Sequence, residues 1–283
     1  DPIPAQMRMG KRWYDGTADA IYQNIGFIEQ DSPEHVCIFG SDHIYKMDVR
    51  QMLDFHKEKQ AVLTVAAIRV PIAEASAFGV IEVDENGRMI GFEEKPKNPK
   101  SIPGDPDFAL ASMGNYIFET NTLLSELTSD AEKEDSSHDF GRDIIPGLYP
   151  NAPVYVYDFS VNQIEGEKGA YWRDVGTIDS YWQSHMDLVS DNPPFSLYNR
   201  KWPLHTFYPP LPPATFIDTA AYKTNVSQSL ISAGCYIQGS RINRSILGFR
   251  CNIASGSEIS ESIFLGDVKI GEGCTIRRAI IDK

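Results

Sequence analysis

The sequence predicts an α/β fold in two parts: a mainly parallel sheet with helices on both faces, then a parallel β-helix. Three observations carry that expectation. Short, continuous apolar runs alternate with helix-like segments up to about residue 190, the rhythm of βαβ units. Seven prolines crowd residues 191–216 with no clear periodicity, as in an extended, semi-rigid connector. Past residue 222, aliphatic residues recur six positions apart among Gly, Ser, Cys and Asn, the mark of coils built from short strands with small residues at the corners. The expected organisation is a first domain over 1–190, a linker over 191–222 and a β-helix over 223–283.

The elements follow in order. "ADAIYQNIGFIEQ" has apolar residues at helical spacing and leads into four consecutive apolar residues at 36–39. Such a run predicts a strand buried on both faces. The chain leaves it through Gly40 and Ser41 to Asp42 and His43. In open α/β sheets ligands bind beyond the carboxyl ends of such strands, so Asp42 is a candidate ligand-binding acid. "MDVRQMLDFHKEKQ" reads as the next helix and "AVLTVAAIRV" as the next buried strand. "GVIEVDENGRMIGFEEKP" alternates on either side of Asn86-Gly87, the pattern of a β-hairpin. "LASMGNYIFE" adds a strand and "NTLLSELTSDAEKE" a helix. In the second part Ile231 and Ile237, Ile253 and Ile259, and Ile270 and Ile276 form the six-residue pairs. No capping pattern precedes Lys283, so the β-helix is expected to continue past it.

Composition narrows the function. Acidic residues outnumber basic ones 39 to 26 in 283 residues, a net charge of −13. With no offsetting Lys/Arg block, nucleic acid and anionic membranes are poor partners. A phosphorylated small molecule is still a fit, because a cation or one placed lysine supplies charge locally. Cys37, Cys235, Cys251 and Cys274 are scattered without a C-x-x-C pair, which reads as reduced thiols in a cytoplasmic protein. "NVS" and "NRS" match the glycosylation sequon, but this context argues against its use. No apolar run is long enough to span a bilayer, and no signal-peptide pattern opens the chain. "DPIPAQMRMG" has no initiator methionine, so a fragment or a processed product is expected.

Besides Asp42, three places carry chemistry: Glu94-Lys95 before Pro96, Asp139-Phe140 in "SSHDFGRDIIP", and Trp172 and Asp174 in "AYWRDVGTIDSYW". Taken singly, each acid reads as a helix N-cap or a solvated charge. Taken together they suit phosphate chemistry. Two strand-end aspartates can hold Mg²⁺, which takes a few carboxylates plus phosphate oxygens and water. A lysine holds a sugar phosphate, and an aromatic with paired acids suits a sugar. The six histidines show no metal spacing, and no Ser-His-Asp set or activated cysteine is present.

"WYDGTADA", "SDHIYKMD", "ASAFGV", "EEKPKNP", "LASMGNYIF", "SSHDFGRDIIP" and "YWRDVGT" together resemble the bacterial ADP-glucose pyrophosphorylase (glucose-1-phosphate adenylyltransferase) family, over nearly the whole chain. The resemblance implies a Rossmann-like nucleotidyltransferase sheet and a left-handed β-helix of hexapeptide repeats. It implies adenylyl transfer from ATP to α-D-glucose 1-phosphate for glycogen biosynthesis, by a cytoplasmic homotetramer under small-metabolite control. Asp42 and Asp174 would hold Mg²⁺. Lys95, with Glu94, would bind glucose 1-phosphate in a site lined by Tyr14, Gly79, Ser112, Tyr116, Asp139 and Trp172. Gln6, Gly16 and Thr17 would approach the adenine, and Arg277 and Arg278 match the C-terminal share of the regulatory site. Ser41 stands where related enzymes commonly have Gly, and the family's N-terminal Gly-rich, arginine-containing loop and first strand have no counterpart in these residues. Loss of both is expected to leave residues 1–283 alone poorly soluble and inactive.

Two rivals belong to other classes. A β-helix acyltransferase uses a histidine on its coils, and none of the six histidines lies past His205. A non-catalytic regulatory subunit would have lost a metal acid or the sugar lysine, whereas Asp42, Asp174 and Lys95 are all present.

Overall fold

The computed structural model describes residue 3 and residues 13–283. In chain order come helices α1 (Thr17–Tyr22) and α2 (Ile25–Asp31), strands β1 (His35–Phe39) and β2 (His43–Tyr45), and helix α3 (Val49–Glu58). Strands β3 (Leu63–Pro71), β4 (Gly79–Val83), β5 (Met89–Glu94) and β6 (Phe108–Glu119) follow, then helices α4 (Thr120–Ala131) and α5 (Ile145–Leu148) and strand β7 (Val154–Asp158). Strand β8 (Trp172–Asp174) and helix α6 (Ile178–Leu188) precede twelve short strands over 215–281. Internal contacts divide the chain into two compact units: Asp1–Ser41 with Met47–Gln163, and Asp42–Lys46 with Ile164–Lys283.

The first unit is a helix-covered sheet. The alternation of β3 shows why: Leu63, Val65 and Ala67 join one apolar cluster, while Thr64 meets buried His56 of α3 on the other face, as the two-residue period of a strand requires. Ala18 of α1, Leu123 and Leu127 of α4, and Ile145 and Leu148 of α5 complete the first cluster. The sheet is mixed, which corrects the expectation of a mainly parallel one. Among the described residues of this sheet only β3–β7 is parallel. β6 runs antiparallel to β3 along one side and to β4 and β1 along the other, and β4–β5 is antiparallel. A continuous apolar run reports burial on both faces and says nothing of the neighbouring strand's direction.

β1 departs from expectation in a second way. It is half-buried, with Cys37 exposed. Among the described residues its only partner strand is β6. The helix expected from "ADAIYQNIGFIEQ" breaks in two at Gln23-Asn24, where the Asn24 amide donates to the Ala20 carbonyl (2.8 Å) and the Tyr14 hydroxyl (2.9 Å). Asparagine competes with the helical backbone in this way. The hairpin stands as expected: Gly87 takes φ +77°, and the Asp84 carboxylate accepts from the Asn86 and Arg88 N–H groups.

The second unit contains the two-stranded β2–β8 ladder, helix α6 and the β-helix. The twelve short strands form three parallel four-stranded sheets. Residues six apart fall on adjacent faces, and equivalent residues stack coil on coil: Ile237, Ile253 and Ile270 on one face, Val226, Ile242, Ile259 and Ile276 on the next. The corners explain the closure. Left-handed residues recur once per coil at each of them: Gln228, Arg244, Glu261 and Arg278; Gly234, Arg250 and Asp267; Gly239, Gly256 and Gly273. Buried serines tie coil to coil. Ser245 Oγ donates to the Asn243 carbonyl (2.8 Å) and accepts from the Ser262 N–H (3.2 Å), 17 residues on; Ser262 repeats the pattern to Ala279. Each buried hydroxyl is thereby satisfied. No helix among the described residues is long and apolar enough to cross a membrane.

Candidate functional site

In the first unit, the hairpin pairs Gly79 with Glu94 and ends at Lys95, whose N–H donates to the Phe78 carbonyl (3.1 Å). Lys95 sits at φ +46°, a left-handed conformation that costs a non-glycine residue about 1–3 kcal/mol and gathers at functional sites. Its side chain is exposed. Glycines make room for the neighbouring carboxylate. A Cβ at Gly79 would stand 2.5 Å from the Phe92 ring and 2.9 Å from Glu94 Oε2, and one at Gly141 2.8 Å from the same oxygen. Burial, and then the charge of Asp139, push the Glu94 carboxyl above its usual range.

Asp139 is held on all sides. Its Oδ1 accepts from the Gly141 and Arg142 N–H groups (2.9 and 3.1 Å), capping a short turn over Phe140–Ile144, and its Oδ2 accepts from Thr17 Oγ1 (2.9 Å). Thr17 Oγ1 in turn accepts from the Phe140 N–H (3.1 Å). The start of α1 lies against the preceding loop: the Ala18 N–H donates to the His138 carbonyl (2.8 Å), and a Cβ at Gly16 would fall 2.2 Å from that oxygen. Only glycine allows that approach. Tyr116 is buried, its ring centroid 5.5 Å from that of Phe140. Burial raises its pKa, with the Ser112 hydroxyl partly opposing, so the phenol stays neutral. Gly79, Glu94, Asp139 and Thr17 are thus brought together, with Tyr116 and Ser112 joined to the same core. Tyr14 is tied to Asn24. Gln6 lies outside the described residues.

Glu94 supplies a pH test. An acid whose folded pKa is raised binds protons more tightly folded than unfolded. The unliganded fold therefore loses stability as pH rises from the ordinary carboxylate pKa through the raised one. Glu94→Gln is expected to melt about 1–3 °C above the wild type at pH 8, the gap closing as pH falls toward 4. Calorimetry across that range checks it, and a variant no more stable at pH 8 contradicts it.

In the second unit, β2 and β8 pair antiparallel, His43 opposite Asp174 and Tyr45 opposite Trp172. The Val175 N–H donates to the Asp42 carbonyl (3.1 Å), and Asp174 Oδ1 accepts from the Gly176 N–H (3.1 Å). Thr177 and Ser180 then form the capping box that starts α6. The result is a cluster in which ligand atoms of Asp42, His43 and Asp174 all lie within 4.8 Å of one another. His43 Nε2 is 3.3 Å from Asp42 Oδ1, and the ring is 5.3 Å from that of Trp172. The Asp42 side chain is 67 % exposed. An exposed carboxylate, Asp42, beside a half-buried one, Asp174, suits a hard divalent cation such as Mg²⁺.

His43 is the residue that sequence reasoning missed. Spacing rules look for histidines along one chain, whereas the register of β2 on β8 supplies its partner from 131 positions away. Arg277 and Arg278 are engaged within the same unit. Arg277 Nε is 3.6 Å from Glu261 Oε2, and the Arg278 guanidinium lies 4.9 Å from the ring centre of Trp182.

Comparison with known proteins adds two matches to family models: nucleotidyl transferase over residues 3–191 and GlmU-like C-terminal hexapeptide over 212–283. The chain is 70% identical over its whole length to a glucose-1-phosphate adenylyltransferase of Photobacterium profundum and 69% identical to glucose-1-phosphate adenylyltransferase 1 of Vibrio vulnificus, spanning 70% of each. Across 99% of its length it is 51% identical to a glucose-1-phosphate adenylyltransferase of an Anaeromyxobacter species, again spanning 70% of that protein.

Proposed function

The chain belongs to the glucose-1-phosphate adenylyltransferase family, and from that premise we propose how its residues divide the work of making ADP-glucose and pyrophosphate from ATP and α-D-glucose 1-phosphate. The observation that carries the reading is identity near 70% along the entire chain to enzymes of that name, with Asp42, Asp174, Glu94 and Lys95 all in place.

A phosphate oxygen of glucose 1-phosphate forms a bond to the α-phosphorus of ATP as the bond to the β-phosphate oxygen breaks, and pyrophosphate leaves. The attacking phosphate is already ionised near neutral pH, its second pKa being about 6 as in phosphorylated side chains. No general base is needed. Lys95 holds that phosphate as a point charge, and Glu94 accepts from sugar hydroxyls. Asp139, Ser112, Tyr116, Tyr14, Gly79 and Trp172 shape the sugar pocket, while Gln6, Gly16 and Thr17 meet the adenine. Asp42 and Asp174 hold Mg²⁺, which when bound would neutralise phosphate charge. The protein's own contribution is position and charge. In this reading the enzyme is a cytoplasmic homotetramer that feeds glycogen synthesis, with Arg277 and Arg278 meeting an anionic effector.

The test is product analysis with purified enzyme, glucose 1-phosphate, Mg²⁺ and each nucleoside triphosphate in turn. ADP-glucose and stoichiometric pyrophosphate are expected from ATP. Faster nucleotide-sugar formation from UTP or dTTP would overturn the choice of ATP.

A further inference from the structure

The β2–β8 ladder is three residues long on each strand. An isolated two-stranded ribbon is marginal in water, and a slip of one residue would turn its side chains to the opposite face. Yet this ladder sets the spacing of Asp42 and Asp174. Something must hold its register at the end away from the acids.

Lys46 directly follows Tyr45 on β2, and Glu167 lies just upstream of Trp172 on β8. Lys46 Nζ is 2.5 Å from Glu167 Oε1, with the two side chains only 5% and 4% exposed. Lys46 also donates to the Ser196 carbonyl (3.0 Å), while Glu167 accepts from the Ser196 N–H (2.9 Å) and the Asn199 amide (2.9 Å). The pair closes a ring of chain: down β2, across the ion pair, and back along 168–171 into β8. A buried ion pair is a poor source of net stability, since well-packed apolar residues often serve as well, and its best-attested use is to fix one register against others. Neither residue has a part in the chemistry described above.

We propose that the buried Lys46–Glu167 pair is a positioning clamp that holds β2 in register on β8 and so sets the spacing of the two cation-binding aspartates. The inference rests on reading Asp42 and Asp174 as a cation site. Mn²⁺ serves as the probe, its affinity read by electron paramagnetic resonance in the presence of ADP-glucose, alongside Tm and the half-saturating Mg²⁺ concentration for turnover. Glu167→Asp keeps the charge but shortens the arm by one methylene. It is expected to weaken Mn²⁺ binding at least about tenfold and raise the Mg²⁺ requirement in parallel, in a protein that still melts cooperatively. Asp42→Asn separates the two ideas: unchanged Mn²⁺ affinity there overturns the cation site itself. Loss of affinity in Asp42→Asn with wild-type affinity in folded Glu167→Asp overturns the clamp alone. Should Glu167→Asp fail to fold, the double variant Lys46→Met/Glu167→Met fills the same space with apolar atoms. Weakened Mn²⁺ binding in that folded protein supports the clamp, and wild-type binding overturns it.

Discussion

Asp42→Asn is expected to lower kcat by about three orders of magnitude, which is about 4 kcal/mol of transition-state stabilisation, while leaving Tm nearly unchanged. The substitution is isosteric, and the side chain is 67 % exposed, so it leaves no cavity and little buried polarity. What it removes is one of two carboxylates in a cluster whose donor atoms lie within 4.8 Å of each other. Pyrophosphate departs with most of the developing charge, and fixed groups that meet such charge are often the largest catalytic term. Steady-state rates at saturating Mg²⁺, with calorimetry on the same sample, make the measurement. Near-normal turnover would remove Asp42 from the cation site.

Lys95→Gln is expected to act on binding. A hydrogen bond to a charged group contributes about 1.5–3 kcal/mol, so KM for glucose 1-phosphate should rise about 10- to 100-fold. Because the contact is made to a phosphate already charged in the ground state, kcat should fall much less, the pattern of lost uniform binding. The residue is exposed, and its left-handed backbone is held by the Phe78 carbonyl, so the fold should tolerate the change. KM for ATP is the control. A comparable rise there would assign Lys95 to the nucleotide.

How far the sequence carried this reading depends on the range of the signal. The β-helix was legible because its rule is local: aliphatics six residues apart and a glycine in every turn at one corner, although Gln228, Arg244, Glu261 and Arg278 hold another corner with no such signal. The hairpin was legible for the same reason, from Asn86-Gly87. Strand direction was not, because β6 takes its partners from residues 35–39, 63–71 and 80–81, and no local pattern names them. The candidate site divides likewise. Motifs singled out Glu94, Lys95 and Asp139, but the bond from Thr17 to Asp139 spans 122 positions. The pairing of His43 with Asp174 is a matter of register, invisible until the strands are side by side.

The coil-to-coil hydrogen bonds of the β-helix have a consequence for how such a chain can change over generations. Ser245 reaches Ser229 16 positions back and Ser262 17 positions on, and the left-handed corners keep the same step. Gain or loss of a residue within a strand would push every later aliphatic out of the interior and every later corner onto a face. A whole turn added or removed would leave each stack intact. The one-residue difference between the two steps marks a corner, where slack is tolerated. Outside the corners the length of this part of the molecule is therefore quantised, and duplication of an entire turn is the smallest step that adds strand while keeping every stack in place.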